Sequence, residues 1–269
     1  MRVMLSEHES TIRLGVFATV LITMGLAEWL APRRPLVVGR WPRWGVHLAL
    51  VALNNVASRF LIPLGAVAVA TRVHEQGGGL LGWVSLPAGV EAVIAFVLLD
   101  FGIWSSHVAF HFVPWLWRFH RVHHADLDLD VTSGIRFHLG EIVVSAGFKL
   151  AMIFLLGPSP GTVIAFETLL NAASLFSHSN VRLPVPLDRL LRWIVVTPDM
   201  HRIHHSVIVD ETNSNYGFFI PWWDRLFRVY RADPAAGQLD MTIGLAEYRD
   251  PRQTNRLPGI LRMPFEKHS

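Results

Sequence analysis

The sequence predicts an all-α fold: an integral membrane helical bundle of three spanning helices plus a helical hairpin, under a cytoplasmic histidine-rich helical cap. Three observations predict it. Hydrophobic residues make up 51% of the 269 and charged residues only 17%, whereas soluble domains carry about a quarter charged residues. Apolar stretches recur at 14–30, 46–70, 83–110, 142–157 and 161–178. Ten of the fourteen histidines lie between 107 and 205, at the ends of those stretches or beyond them.

The first three stretches match the roughly 20 apolar residues that a bilayer-spanning helix needs. The first is not a signal peptide, because no small-residue cleavage site follows it and Glu28-Trp29 reads as an interfacial end. The loop after it holds Arg33, Arg34, Arg40 and Arg43 and is expected on the cytoplasmic side; the Gly-rich loop at 71–80 falls outside. The last two stretches are shorter, carry Lys149 and Glu167, and meet at Gly157-Pro158-Ser159-Pro160-Gly161, a strong turn signal. They read as a hairpin that leaves the cytoplasmic face and returns to it. From about 181, prolines at 184, 186, 198, 221 and 234 break a more polar chain into short helices and loops, with a loosely ordered tail after about 245. The expected divisions are 1–110 (spanning helices), 111–245 (the histidine-rich region with the hairpin at 142–178) and 246–269 (a polar tail).

Composition excludes several classes. With no cysteine, there are no disulfides, thiolate metal sites or cysteine-ligated iron–sulfur clusters. Twenty-four Lys+Arg against 21 Asp+Glu is a small excess, mostly arginine beside apolar segments. That pattern suits a membrane surface or an acidic protein partner and gives no sign of nucleic-acid binding.

The histidines carry the chemistry. They run His107-x-x-x-His111, then His120-x-x-His123-His124, then His201-x-x-His204-His205. Residues three and four apart share a helix face, so each run is expected to present its rings to a common point. Neutral imidazole is the commonest protein metal ligand, and a single tetrahedral zinc takes only four donors; eight or more donors imply two metals. Asp100 lies two turns before His107 and is placed to orient a ligand ring, as supporting carboxylates do.

These residues carry a resemblance. Residues 100–138, Ser177-His178-Ser179-Asn180, Thr197 to His205, and Asn213-Ser214-Asn215-Tyr216-Gly217 followed by Trp223-Asp224-Arg225-Leu226-Phe227 resemble the core of the fatty acid hydroxylase/sterol desaturase superfamily, in the family's order. The resemblance implies a membrane-bound di-iron enzyme that uses dioxygen to hydroxylate or desaturate a lipid or sterol-like substrate. It implies His107, His111, His120, His123, His124, His201, His204 and His205 as ligands, with His178 as an additional one. His138, between Arg136-Phe137 and Glu141, is implied as a further ligand or as support for one. Asp100, Asn180 and Asn215 are the candidate catalytic groups, the asparagines, with Asn213, through hydrogen bonds to a metal-bound water or to substrate. His8, His47, His74 and His268 are assigned to the surface or to interfaces, and Asp210 and Glu211 to solvent.

Oxidising an unactivated C–H bond is beyond amino-acid acids and bases, so a cofactor must do it. The expected cofactors are two iron ions with dioxygen as co-substrate; zinc is the ion expected to replace iron on purification, since imidazole sites bind it more tightly. The chain carries no nucleotide fingerprint, so electrons come from an external donor. A ferredoxin or a cytochrome with its reductase is expected to dock on Arg118, Arg121, Arg202, Arg225 and Arg228. The expected location is a bacterial inner membrane. Two other readings remain open from the residues: a carotenoid ring hydroxylase and a non-catalytic zinc-binding membrane protein.

Overall fold

In the computed structural model, residues 8–62 and 64–266 are described. Among them every regular element is helical, with only two isolated bridges, Pro32 to Val181 and Ser206 to Ile243. Six long or medium helices form the bundle: α1 (Glu9–Leu30), α2 (Arg40–Leu61), α3 (Ala66–Glu75), α4 (Ala88–Phe112), α6 (Leu139–Leu156) and α7 (Pro160–His178). A helix α5 (Pro114–His124) follows α4 after the single residue Val113, and Pro114 at its first position needs no backbone donor there. Beyond α7 come short helices, α8 (Val185–Leu191), α9 (Pro198–His204), α10 (Val209–Thr212), α11 (Trp222–Leu226), α12 (Gly237–Asp240), α13 (Pro251–Thr254) and α14 (Leu257–Arg262).

Among the described residues, four segments are long and apolar enough to cross a membrane: Glu9–Leu30, Arg40–Trp83, Ala88–Phe112 and Leu139–Leu156. Two boundaries differ from the sequence expectation. The second apolar stretch is divided, α2 ending at Leu61 and α3 starting at Ala66. The first arm of the expected hairpin, α6, meets the length and hydropathy of a spanning helix by itself. Its second arm, α7, is instead the inner helix, burying Val163, Phe166, Glu167, Leu175 and His178.

The turn between them depends on glycine. Gly157 ends α6 with φ +66, and a Cβ there would lie 2.1 Å from the Gly78 carbonyl oxygen. The Ser159 hydroxyl then accepts the Thr162 N–H at 3.3 Å to cap α7.

Two apolar clusters hold the fold. Ala70, Leu99, Ile153, Leu156, Val163 and Phe166 join α3, α4, α6 and α7. Leu50, Val122, Ala125, Leu245, Tyr248, Ile260 and Met263 join α2 and α5 to the C-terminal segment. The expected loose tail is therefore corrected. Residues 251–254 and 257–262 are helical, Ile260 and Met263 are core residues, and Arg121 donates to the carbonyls of Met263 and Glu266.

The arginines expected as a cytoplasmic charge belt are bound internally. Arg43 is fully buried and paired with Asp126 and Asp130, Arg33 pairs with Asp199 at 2.9 Å, and Arg40 lies 3.7 Å from Glu28.

Candidate metal centre

Among the described residues, nine histidines from α4, α5, α7 and α9, with His205 the residue that caps the end of α9, converge and sort into two groups. His107, His111, His120, His124 and His204 form one; His123, His178, His201 and His205 form the other. Within each, one nitrogen per ring lies within 4.8 Å of the rest, and only His111 is not fully buried. The expectation that each run serves one point is corrected: both HxxHH runs are split between the two groups.

The ring orientations are set from outside. His107 Nδ1 donates to the Tyr216 carbonyl, His204 Nδ1 to the Ser214 carbonyl and His178 Nδ1 to the Ser174 carbonyl, each at 2.7 Å. His123 Nδ1 donates to the Arg136 carbonyl at 3.3 Å. A carbonyl only accepts, so these four rings carry their proton on Nδ1, and in a neutral imidazole Nε2 is then a bare lone pair. The bare atoms face one another: His107 and His204 Nε2 are 3.1 Å apart, and His123 and His178 Nε2 are 3.0 Å apart. His120 Nε2 is 3.0 Å from His107 and 3.1 Å from His124, while His201 Nε2 is 3.0 Å from His178.

Facing lone pairs at that distance repel unless a cation lies between them. Two imidazole nitrogens each about 2.0–2.1 Å from one ion are about 2.9 Å apart at a right angle and about 3.4 Å apart at the tetrahedral angle, and the spacings here fall in that interval. Both nitrogens of His205, His111 Nε2, His124 Nδ1 and His201 Nδ1 are buried without a hydrogen-bond partner. The residues present therefore fit two metal ions, one per group.

Electrostatics favour the liganding form. Burial pushes His120 down to about 3. Burial first, and neighbouring histidines second, hold His123, His124, His201, His204 and His205 well below the usual imidazole value. The rings stay neutral, and Nε2 stays available, across the physiological range.

Sequence reading misses the supporting roles of several groups, although it names Asn213 as a hydrogen-bond partner for a metal-bound water or the substrate. Glu141 Oε1 lies 2.7 Å from His120 Nδ1, the role expected of Asp100. Asn213 Oδ1 is 3.3 Å from His111 Nδ1. Asp224 is fully buried and accepts three hydrogen bonds, from Trp104 Nε1 and the Tyr216 N–H at 2.9 Å and from the Gly217 N–H at 3.0 Å. It thereby holds the turn whose Tyr216 carbonyl orients His107. A carboxylate in the first turn of the otherwise apolar α6 was the local signal for Glu141, and for Asp224 the signal was its place in the Trp223 to Phe227 stretch that carries the resemblance.

Four expected site residues are placed elsewhere. His138 belongs to neither group: its Nδ1 accepts the Gly140 N–H at 3.0 Å as the cap of α6, and its ring stacks on Phe119. Asp100 accepts from Trp223 Nε1 at 2.8 Å. Asn180 bridges to Arg34, its Nδ2 donating to the Arg34 carbonyl at 2.8 Å. Asn215 sits at φ 52 and spends its amide on the backbone of Met200 and Arg231.

Two residues assigned to surface or solvent are corrected too, while His8 and Asp210 are exposed as expected. His47 is fully buried, 2.8 Å from Thr132 Oγ1 and 3.0 Å from Arg136. Glu211 is fully buried and accepts the Ala235 N–H. Of the arginines proposed as a docking face, Arg121 and Arg202 are buried, Arg202 against Asp199. His268 lies outside the described residues.

A cavity of about 230 Å³ reaches the first group beside His107 and Glu141, walled by Ile103, Phe110, Phe137, Ile142, Leu170 and Phe218. On another side His111 meets a more polar hollow of about 300 Å³, lined by Trp117, Thr212, Asn213 and Glu247.

The family model described as fatty acid hydroxylase matches residues 92–229, a span that contains all nine converging histidines. The chain is 34% identical over 164 residues to an ornithine lipid hydroxylase of Rhizobium tropici, covering 58% of this chain and 46% of that protein. It is 30% identical over 140 residues to an alkylglycerol monooxygenase of Xenopus tropicalis, covering 51% and 30%. It is 27% identical over 152 residues to a cholesterol 25-hydroxylase of Rattus norvegicus, covering 55% and 49%. The match thus spans about half the length of these relatives or less. No solved structure matches.

Proposed function

The chain belongs to the fatty acid hydroxylase family, and from that premise we propose that it is a membrane-bound di-iron oxygenase that hydroxylates or desaturates a C–H bond of a lipid or sterol-like substrate. The observation that carries the reading is the pair of converging, neutral histidine groups with a largely apolar cavity opening onto the first of them. Two iron ions bound there would supply the dioxygen activation that side chains lack.

The chain's own contributions follow from its contacts. The carbonyls of Tyr216, Ser214, Ser174 and Arg136 hold four rings in the Nδ1–H tautomer, and Glu141 fixes His120. Such partners pre-organise ligands so that they need not reorient during turnover. The walls of the cavity exclude water and bring a carbon of the bound chain to the side of the first group where His107 lies. The hollow at His111 is the aqueous approach. Electrons come from an external ferredoxin or cytochrome, and the metal groups face the cytoplasm of a bacterial inner membrane.

The test is metal content together with product analysis on detergent-purified protein from iron-supplemented cells. About two irons per chain, lost with turnover in His204→Ala, support the proposal. One tightly held zinc that iron cannot replace, with no oxygen consumed under any reductant, overturns it.

A further inference from the structure

The nine converging rings leave an ion few ways to reach them. Eight are between 0 and 3% exposed, and only His111 reaches further toward solvent. Two hollows touch the centre, and they treat a hydrated cation differently. The cavity beside His107 lies between α4, α6 and α7, the first two of spanning length. Its walls are mostly aromatic and aliphatic, and the Lys149 side chain is among them. An ion entering there loses water against apolar surface, at a high cost.

The hollow at His111 is built from other parts of the chain. Apart from His111 and Trp117 it is lined by residues within 207–213 and 245–247, outside the segments of spanning length. At about 300 Å³ it has room for an ion carrying about six waters, at about 30 Å³ each. The Glu247 side chain lines it, is exposed, and makes no hydrogen bond or ion pair among the described residues. Its charge is therefore free to meet a cation, and a carboxylate oxygen suits one that still holds water.

His111 belongs both to this hollow and to the first group. Its ring centroid lies 4.6 Å from that of His204, 4.7 Å from that of His124 and 5.1 Å from that of Trp117. Its hydrogen bond to Asn213 Oδ1 is long, 3.3 Å from Nδ1, and its Nε2 is buried without a partner. The rings of His107, His178 and His204 are instead held at 2.7 Å. His111 is thus the ring that can turn while those three keep their places.

We propose that the hollow at His111 is the port by which divalent cations enter and leave the centre, with Glu247 the first group to hold the ion and His111 the ring that passes it inward. This rests on the histidine groups being metal sites; it does not depend on the reaction the ions support.

The test is kinetic. Cobalt(II) is added to metal-free full-length protein in detergent and uptake is followed by the visible absorption of the bound ion; release is followed by adding a chelator to the loaded protein. A port changes a barrier and not the states it joins, so closing it slows uptake and release by one factor and leaves affinity and stoichiometry alone. Ala246→Trp, at an exposed position lining the hollow, is expected to slow both by at least about tenfold. Glu247→Gln is expected to slow uptake about 3- to 10-fold at low ionic strength and less at high salt, because the carboxylate acts through its charge. Ala146→Trp, which fills the cavity beside His107 instead, is expected to leave both rates unchanged. If Ala246→Trp does not fold, Glu247→Gln and its salt dependence decide the matter. Unaltered rates in both port variants overturn the proposal, as does slowing by Ala146→Trp alone. Unaltered protein that binds no cobalt defeats the metal centre and the port with it. About two ions bound per chain, at rates that no variant changes, defeat the port alone.

Discussion

Replacing Asp224 tests whether a residue that touches no metal ligand nevertheless holds the first histidine group in place. Its Oδ1 accepts from Trp104 Nε1 and from the Tyr216 N–H, and its Oδ2 accepts from the Gly217 N–H. Asp224→Asn keeps a carbonyl oxygen for the first two and sets an NH₂ against the third donor, leaving one buried N–H unsatisfied. At about 1–3 kcal/mol for a stranded buried group, the melting temperature in detergent should fall by roughly 2–4 °C per kcal/mol. Asp224→Ala strands all three donors, about 3–9 kcal/mol by the same figure, which approaches the whole stability of a domain of about 5–15 kcal/mol. The Tyr216 carbonyl that orients His107 moves with this turn, so iron content should fall in the same order, wild type above Asn above Ala. The assay is thermal unfolding and metal analysis on the three purified proteins. If Asp224→Ala melts within 2 °C of wild type with full metal content, the clamp is not what positions His107.

Three further outcomes follow from the same geometry. His124→Ala should empty the five-ligand group more than the four-ligand group, and His123→Ala the reverse, although the two residues are neighbours in sequence; metal stoichiometry with a spectroscopic probe of each ion checks it, and identical losses would count against the division. Gly134→Ala would place a Cβ 2.7 Å from the Ser174 carbonyl oxygen, the same oxygen that accepts from His178, so overpacking of about 1–3 kcal/mol should lower the melting temperature and weaken the second group first. Acid should destabilise the metal-free protein: unfolded histidines take up protons below about 6.5 while the buried ones resist, His120 down to about 3, so the unfolded state binds more protons and stability falls with pH by up to about 1.4 kcal/mol per unit per histidine. Asp224, pushed up to about 6 by burial, and Asp128, also raised by burial, oppose this over the range between their ordinary and raised values, but the buried histidines outnumber them; a melting temperature flat from pH 7 to 4 would refute the account.

What could be read from the sequence was what local spacing encodes. Helical apolar stretches of spanning length and the repeated histidine intervals needed no tertiary information, and the nine ligand candidates that converge were all among the ten expected. What could not be read was which polar residues the fold would bury. Arg43, His47, Asp126, Asp130 and Arg136 look like loop and interface charges in sequence, yet they form one buried network joining α2 to the loop after α5. Asp100 lies two turns before a histidine run and Glu141 lies three residues after the single His138, yet packing decides that Glu141 meets a ligand ring while Asp100 meets Trp223. His138 joins neither group for a similarly local reason: one residue before α6 its ring caps the Gly140 N–H.

The division of the runs has a rule in it that sequence contains but a face-by-face reading misses. At 100° per residue, positions i and i+4 differ by 40°, i and i+3 by 60° in the opposite sense, and i+3 and i+4 by 100°. In both HxxHH runs the closer pair stays together and the intervening residue crosses over. His120 and His124 enter the first group and His123 the second; His201 and His205 enter the second and His204 the first. His107 and His111, also i and i+4, share the first group. Adjacent histidines 100° apart on one helix point too far apart to serve a single ion and are well separated to serve two neighbouring ones. A run ending in a histidine pair is thus a device for bridging two centres with one helix, and two such runs with opposite allegiance bind α5 and α9 to both. Each group borrows one ring from the helix that supplies two rings to the other, so displacing either helix would disturb both groups together.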